Sequence, residues 1–160
     1  MPIAASLTAG TPLDDTSARR RRVARRCSVA AAVLFGGLTT FQVALAAGAP
    51  LGRAAWGGQQ TVLGVGLRVA SGLSAVVFSG AALVILRRGG HDVWAPLPSR
   101  WLRRAVWFLA AYTALGTLLN AISRSPIERA VWGPTGLAMA ILSAVVAKWG
   151  YDRPSEAVRR

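Results

Sequence analysis

Four stretches, 28–47, 67–86, 102–122 and 126–149, run almost free of charge, and the short segments around them hold nearly all the arginines. A helix rising 1.5 Å per residue needs about 20 such residues to cross roughly 30 Å of hydrocarbon. The expected fold is therefore all-α: a polytopic membrane protein with four transmembrane helices arranged as two helical hairpins. The 53% hydrophobic content agrees with that class.

The placement of the positive charge says more than its amount. Arg19, Arg20, Arg21, Arg22, Arg25 and Arg26 precede the first run. Arg87, Arg88, Arg100, Arg103 and Arg104 lie between the second and third, and Lys148, Arg153, Arg159 and Arg160 close the chain. Of the 19 basic residues only Arg53, Arg68, Arg124 and Arg129 fall on the other side. Short loops so biased place both termini in the cytoplasm, with the chain multi-pass in the cell inner (plasma) membrane. A net charge of +13 would point to nucleic acid in a soluble chain. Here the positive-inside bias accounts for it, and no nucleic-acid partner is expected. The block before the first run also suits anionic lipid headgroups, at about 1 kcal/mol per basic residue near the surface.

Residues 1–26 read as a disordered basic cytoplasmic tail, 27–149 as the four-helix membrane domain and 150–160 as a second cytoplasmic tail. The start of the chain mixes Thr, Ser, Pro, Gly and Asp without periodicity, so it buries too little apolar surface to fold alone. Ala44-Leu45-Ala46 imitates a signal-peptidase site. The run before it is longer than a signal peptide's apolar core and three more runs follow, so an uncleaved helix is expected. Cys27 is the only cysteine, which excludes an intrachain disulfide and a CxxC pair. Lys148 is the only lysine, and this arginine bias with abundant alanine suggests a GC-rich bacterial genome.

Helices in lipid associate through small residues that let backbones approach. Gly64, Gly72 and Gly80, Gly66, Ala70 and Ser74, and Gly136, Ala140 and Ala144 supply such spacings. The two outer loops also resemble each other. Aligned on Trp56 and Trp132, they share Pro50 with Pro126, Arg53 with Arg129, Ala54 with Ala130 and Gly57 with Gly133. This reads as an internal repeat of one hairpin, turning through Pro-x-x-Arg-x-x-Trp-Gly, with a pseudo-twofold axis along the membrane normal. In the second copy Ser125-Pro126-Ile127-Glu128 has the form of a capping box, and Pro134 is expected to kink the helix that follows. In the first copy 50–56 is expected to form a short interfacial helix.

The segments Gly48-Ala49-Pro50-Leu51-Gly52 and Ala55-Trp56-Gly57-Gly58, with Leu119-Asn120, Ser123, Ser125, Glu128-Arg129 and Trp132, carry a family resemblance. The chain resembles an uncharacterised family of small four-helix bacterial integral membrane proteins. That resemblance implies the fold and carries no activity with it.

No His-x-x-His, HExxH, glycine-rich phosphate loop or Ser/His/Asp set is present, so neither an enzyme nor a cofactor is expected. No acidic residue lies in the middle of any run, which speaks against proton-coupled export. The outer end is richer. Arg53, Arg68, Arg124 and Arg129 surround the single acid Glu128, together with Asn120, Ser123, Trp56 and Trp132. Surplus guanidinium groups suit phosphate or carboxylate, with the tryptophans at headgroup depth. Glu128 is expected to reach back to the Ser125 backbone N–H and to pair with Arg124 or Arg53. The expected role is a non-enzymatic module that binds an anionic lipid or a partner helix at its outer face. A small oligomeric transporter or channel is the alternative, so the partners to look for are lipid, a second copy or another membrane protein.

Overall fold

The structure is a computed structural model in which residues 12–151 are described. The chain forms four α-helices, α1 (Pro12–Ala46), α2 (Val65–Arg88), α3 (Ser99–Ala121) and α4 (Gly133–Trp149). A 3-10 turn, Gly52–Ala54, lies in the loop between α1 and α2, and a π-helical turn, Glu128–Trp132, leads into α4. There is no strand among the described residues.

Three of these helices are long and apolar enough to cross a membrane: α1, α2, and α4 with its preceding turn. The fourth, α3, begins with Arg100, Arg103 and Arg104, so the charge-free length inside it falls short of the roughly 20 residues a span needs. Large apolar side chains point outward, among them Ile122 (79% exposed), Val65 (77%) and Phe108 (69%). A soluble chain rarely shows so much apolar surface. Several hydroxyls within the apolar runs are satisfied inside their own helices: Thr39, Ser74, Ser79 and Thr117 each donate to the carbonyl four residues earlier, whereas the buried Ser143 hydroxyl of α4 has no partner among the described residues.

The tail expected over 1–26 is corrected where the structure describes it. Residues 12–26 are the first turns of α1, which runs unbroken through the arginine block. Ala and Arg are good helix formers, Pro12 suits a first turn, and Asp15 lies where the helix dipole favours negative charge. The remainder of that tail, and nearly all of the one expected at 150–160, lie outside the described residues.

α1 packs along α2 and α4, α3 packs along α4, and α2 meets α3 along a shorter line. The main core contains Phe35, Phe78, Ile85, Leu102, Val106, Met139 and Val146 and fills the half of the bundle nearest the arginine block. There the backbones of α1 and the end of α2 nearly touch. A Cβ built on Gly89 would lie 2.4 Å from the Ser28 Cβ, and Ser28 is fully buried. Gly136 makes a similar contact between α4 and α3, where an added Cβ would meet the Thr117 hydroxyl at 2.7 Å. Gly66, by contrast, faces open space, so the small-residue spacing in α2 is only partly used within one chain.

Candidate functional site

At the other end, the loop between α1 and α2 is built around glycines. α1 ends at Ala46, and Arg68 from α2 donates from Nε to the Ala46 carbonyl at 2.9 Å. A cation at a helix C-terminus is favoured by the dipole, so Arg68 serves as a cap for α1. Its guanidinium lies over Gly48, which turns the chain with φ of 92°. Gly52 is buried, and its N–H donates to the Thr61 carbonyl at 3.0 Å. A Cβ there would fall 2.5 Å from the Gln60 carbonyl, so only glycine fits. The interfacial helix expected over 50–56 is thus reduced to the single turn Gly52–Ala54.

Trp56, Gly57 and Gly58 all have positive φ, at 54°, 83° and 72°. This conformation is uncommon for a tryptophan, and such residues persist where surrounding bonds over-determine them. Two do so here. Trp56 Nε1 donates to Ser71 Oγ at 3.1 Å, and the Gly57 N–H donates to Glu128 Oε1 at 2.8 Å.

Glu128 is the centre of the second loop. It is buried, and its Oε2 accepts from the Ser123 hydroxyl. Ser123 Oγ in turn accepts from the Ser125 N–H at 3.1 Å. Ser125 Oγ accepts from the Glu128 N–H at 3.4 Å and donates to the Arg53 carbonyl at 3.1 Å. Trp132 Nε1 donates to the Ala54 carbonyl at 2.6 Å, and its ring lies 4.8 Å from Phe41. Three hydrogen bonds, on Glu128, Ser125 and Trp132, therefore join the two loops.

These bonds correct the expected partners of Glu128. Its carboxylate meets the Gly57 N–H and the Ser123 hydroxyl, where the Ser125 N–H and a guanidinium were expected. The cause is Gly57, whose left-handed conformation aims a backbone donor from the other hairpin at the acid. Ser125 still caps the helix through its hydroxyl. The irregularity expected at Pro134 is placed one turn earlier, as the π-helical turn, whose closing bond runs from the Gly133 N–H to the Glu128 carbonyl. At the aligned tryptophans the backbones differ: φ is 54° at Trp56 and −78° at Trp132.

Beneath the hydrogen bonds that clasp the two loops lies a cavity of about 340 Å³ between the adjoining halves of all four helices. Phe41, Trp56, Phe78, Tyr112 and Trp132 give it aromatic walls, and Gln42, Thr113, Asn120, Glu128 and Thr135 add polar points. Gln42 Oε1 is buried there without a hydrogen-bond partner among the described residues. A shallower recess of about 480 Å³ adjoins it, lined by Gln59, Ser123 and Arg124. Trp56, Leu119, Asn120 and Glu128 line both.

Of the site residues expected from sequence, Trp56, Asn120, Glu128 and Trp132 border the deep cavity, and Ser123 and Arg124 the recess. Arg68 caps α1, Arg53 donates to Thr61 Oγ1 at 3.3 Å, and Arg129 donates to the Ser123 carbonyl at 2.5 Å. None of these three lines either space. Phe41, Gln42 and Tyr112 are additions that the sequence reading does not contain. Gln42 has a signal, being the one amide in the first apolar run.

Fold and site together define an all-helical protein with three helices able to cross a membrane and a clasped, aromatic cavity at one end. No protein-family model, curated protein or solved structure matches the chain.

Proposed function

We propose that the chain is a non-enzymatic membrane module that holds a lipid-like amphiphile in the outer half of its bundle. One observation carries this reading: the deep aromatic cavity and the polar recess share Glu128, which is buried and held by neutral donors. An apolar tail suits the aromatic walls. At the mouth, the carboxylate of Glu128 and the guanidinium of Arg124 offer partners for an ammonium and a phosphate on one headgroup. The packed inner half speaks against a path through a single chain, so transport would require an oligomer.

Native mass spectrometry of the full chain in mild detergent, offered phosphatidylethanolamine, phosphatidylglycerol and phosphatidylcholine, tests this. Phosphatidylethanolamine is expected to be retained best, and Arg124→Gln to weaken it about fivefold, as about 1 kcal/mol for one partly exposed pair implies. Preferential retention of phosphatidylglycerol would assign the face to an anionic lipid. Retention of no lipid, with a stable oligomer instead, would assign it to a partner helix.

The same proposal makes α3 the fourth span and puts both termini in the cytoplasm. The bias of basic residues supports that orientation. A periplasm-dependent reporter fused after Arg160 should stay silent, and one inserted after Gly58 should be active. The reverse pattern ends this topology.

A further inference from the structure

The arginine-rich end of the bundle carries an open groove, independent of the cavity beneath the two loops. Because α1 runs unbroken through the arginine block, Arg22, Arg25, Arg26 and Val29 are three and four residues apart and share one helix face. His91 stands opposite. Gly90, with φ of 92°, turns the chain after α2. The His91 N–H donates to the Leu86 carbonyl and the Gly90 N–H to the Arg87 carbonyl, both at 3.1 Å, which is a Schellman motif. That turn carries the imidazole across to α1, where Nε2 lies 3.4 Å from the Arg25 carbonyl.

The exposed Arg22, Arg25, Arg26 and Val29, with the half-buried His91, line an open groove of about 400 Å³, and no acidic side chain among the described residues lines it. Neighbouring arginines have other occupations. Arg21 stacks 5.4 Å from the centre of the Tyr151 ring, and Arg87 donates to the Val93 carbonyl at 2.6 Å. Like charges three and four residues apart on a helix repel, and an anion seated among them removes that cost. Guanidinium groups match phosphate oxygens in pairs, and the imidazole N–H, weakly held at 3.4 Å from the Arg25 carbonyl, can turn to a phosphate oxygen. Val29 belongs to the first apolar run, so the groove sits at the depth where headgroup gives way to hydrocarbon.

We propose that this groove is a phosphate site for the headgroup of an anionic phospholipid. Arg22, Arg25 and Arg26 hold the phosphate, His91 closes over it, and Val29 meets the first methylenes of the lipid. A soluble phosphate shares the headgroup's chemistry but makes no use of Val29.

The test uses the full chain in detergent micelles carrying phosphatidic acid, with binding read by native mass spectrometry and by the shift in unfolding temperature. The double variant Arg22→Gln with Arg26→Gln should lose about thirtyfold in affinity, given the contribution of each basic residue near a membrane surface. Arg20→Gln with Arg103→Gln removes the same charge away from the groove, where salt screens it from the bound headgroup, and should change affinity less than about twofold. Equal losses in the two pairs would mean diffuse attraction and no site. Inorganic phosphate should compete only weakly, and equal binding of inorganic phosphate would overturn the lipid assignment. If the Arg22 and Arg26 pair loses its helical circular dichroism, His91→Gln decides the matter, since unaltered binding in that variant removes the site as described.

Discussion

Replacing Gly89 by alanine should lower the stability of the bundle by about 3 kcal/mol, the upper end of what overpacking costs. The added methyl would lie 2.4 Å from the Ser28 Cβ and 2.0 Å from its hydroxyl oxygen, distances no packed pair adopts. The glycine's backbone is ordinary, with φ of −70°, so the requirement is one of space. Ser28 is fully buried and donates to the Arg25 carbonyl at 2.7 Å, which leaves it little room to turn away. Relief would have to come from parting α1 and α2 beside the core that Phe35, Phe78 and Ile85 build. Thermal unfolding in detergent measures the effect. Ser28→Gly removes the obstructing atoms, so combining it with Gly89→Ala should recover most of the loss, a coupling a double-mutant cycle reads directly. An unchanged midpoint for Gly89→Ala alone would show that the two helices are not in contact there.

The second large effect is expected at Glu128, where two substitutions separate structure from charge. Glu128→Leu keeps the volume and removes both acceptors, so the Gly57 N–H and the Ser123 hydroxyl lose their partners and one link between the hairpins disappears. Hydrogen bonds to charged groups contribute about 1.5 to 3 kcal/mol, and a loss of about 2 kcal/mol is expected for this partly buried pair. Glu128→Gln has an oxygen for Gly57 and an amide that Ser123 can meet by rotating its hydroxyl. Its stability should stay within about 1 kcal/mol of the parent, since only the charge-assisted part of each bond is lost. The Gln variant should nonetheless bind phosphatidylethanolamine several-fold more weakly, because no carboxylate remains for the ammonium. If it binds that lipid as the parent does, Glu128 is a structural clasp alone and the headgroup assignment fails.

Much of the architecture is legible in the order of residues. Charge-free runs of spanning length mark where helices lie, and α2, which reaches from Val65 to Arg88, covers the run expected at 67–86. Length and hydropathy are local properties, and a single helix expresses them without its neighbours. The start of α1 is equally local, since Pro12 followed by Asp14 and Asp15 is a helix-start pattern, yet the polar composition of the tail outweighs it in a reading of sequence alone. The reading of Ser125 as a helix cap likewise needs only residues 125–128.

The site depends on contacts no local pattern specifies. Arg53, Arg68 and Arg129 have the charge for anion binding, but each is turned to a partner set by the packing: Thr61, the end of α1 and the Ser123 carbonyl. Glu128 meets a backbone donor far away in the chain because Trp56, Gly57 and Gly58 curl left-handed beneath it. Phe41, Gln42 and Tyr112 look like ordinary members of apolar runs until α1 and α3 stand across one cavity. Sequence alone determined that this chain makes long apolar helices with arginine at their ends, because hydropathy and helix propensity act within a few turns. Which side chains face the cavity, and which charges remain available there, was decided by the tertiary structure, because a hydrogen bond forms only with whatever donor or acceptor packing brings within about 3 Å.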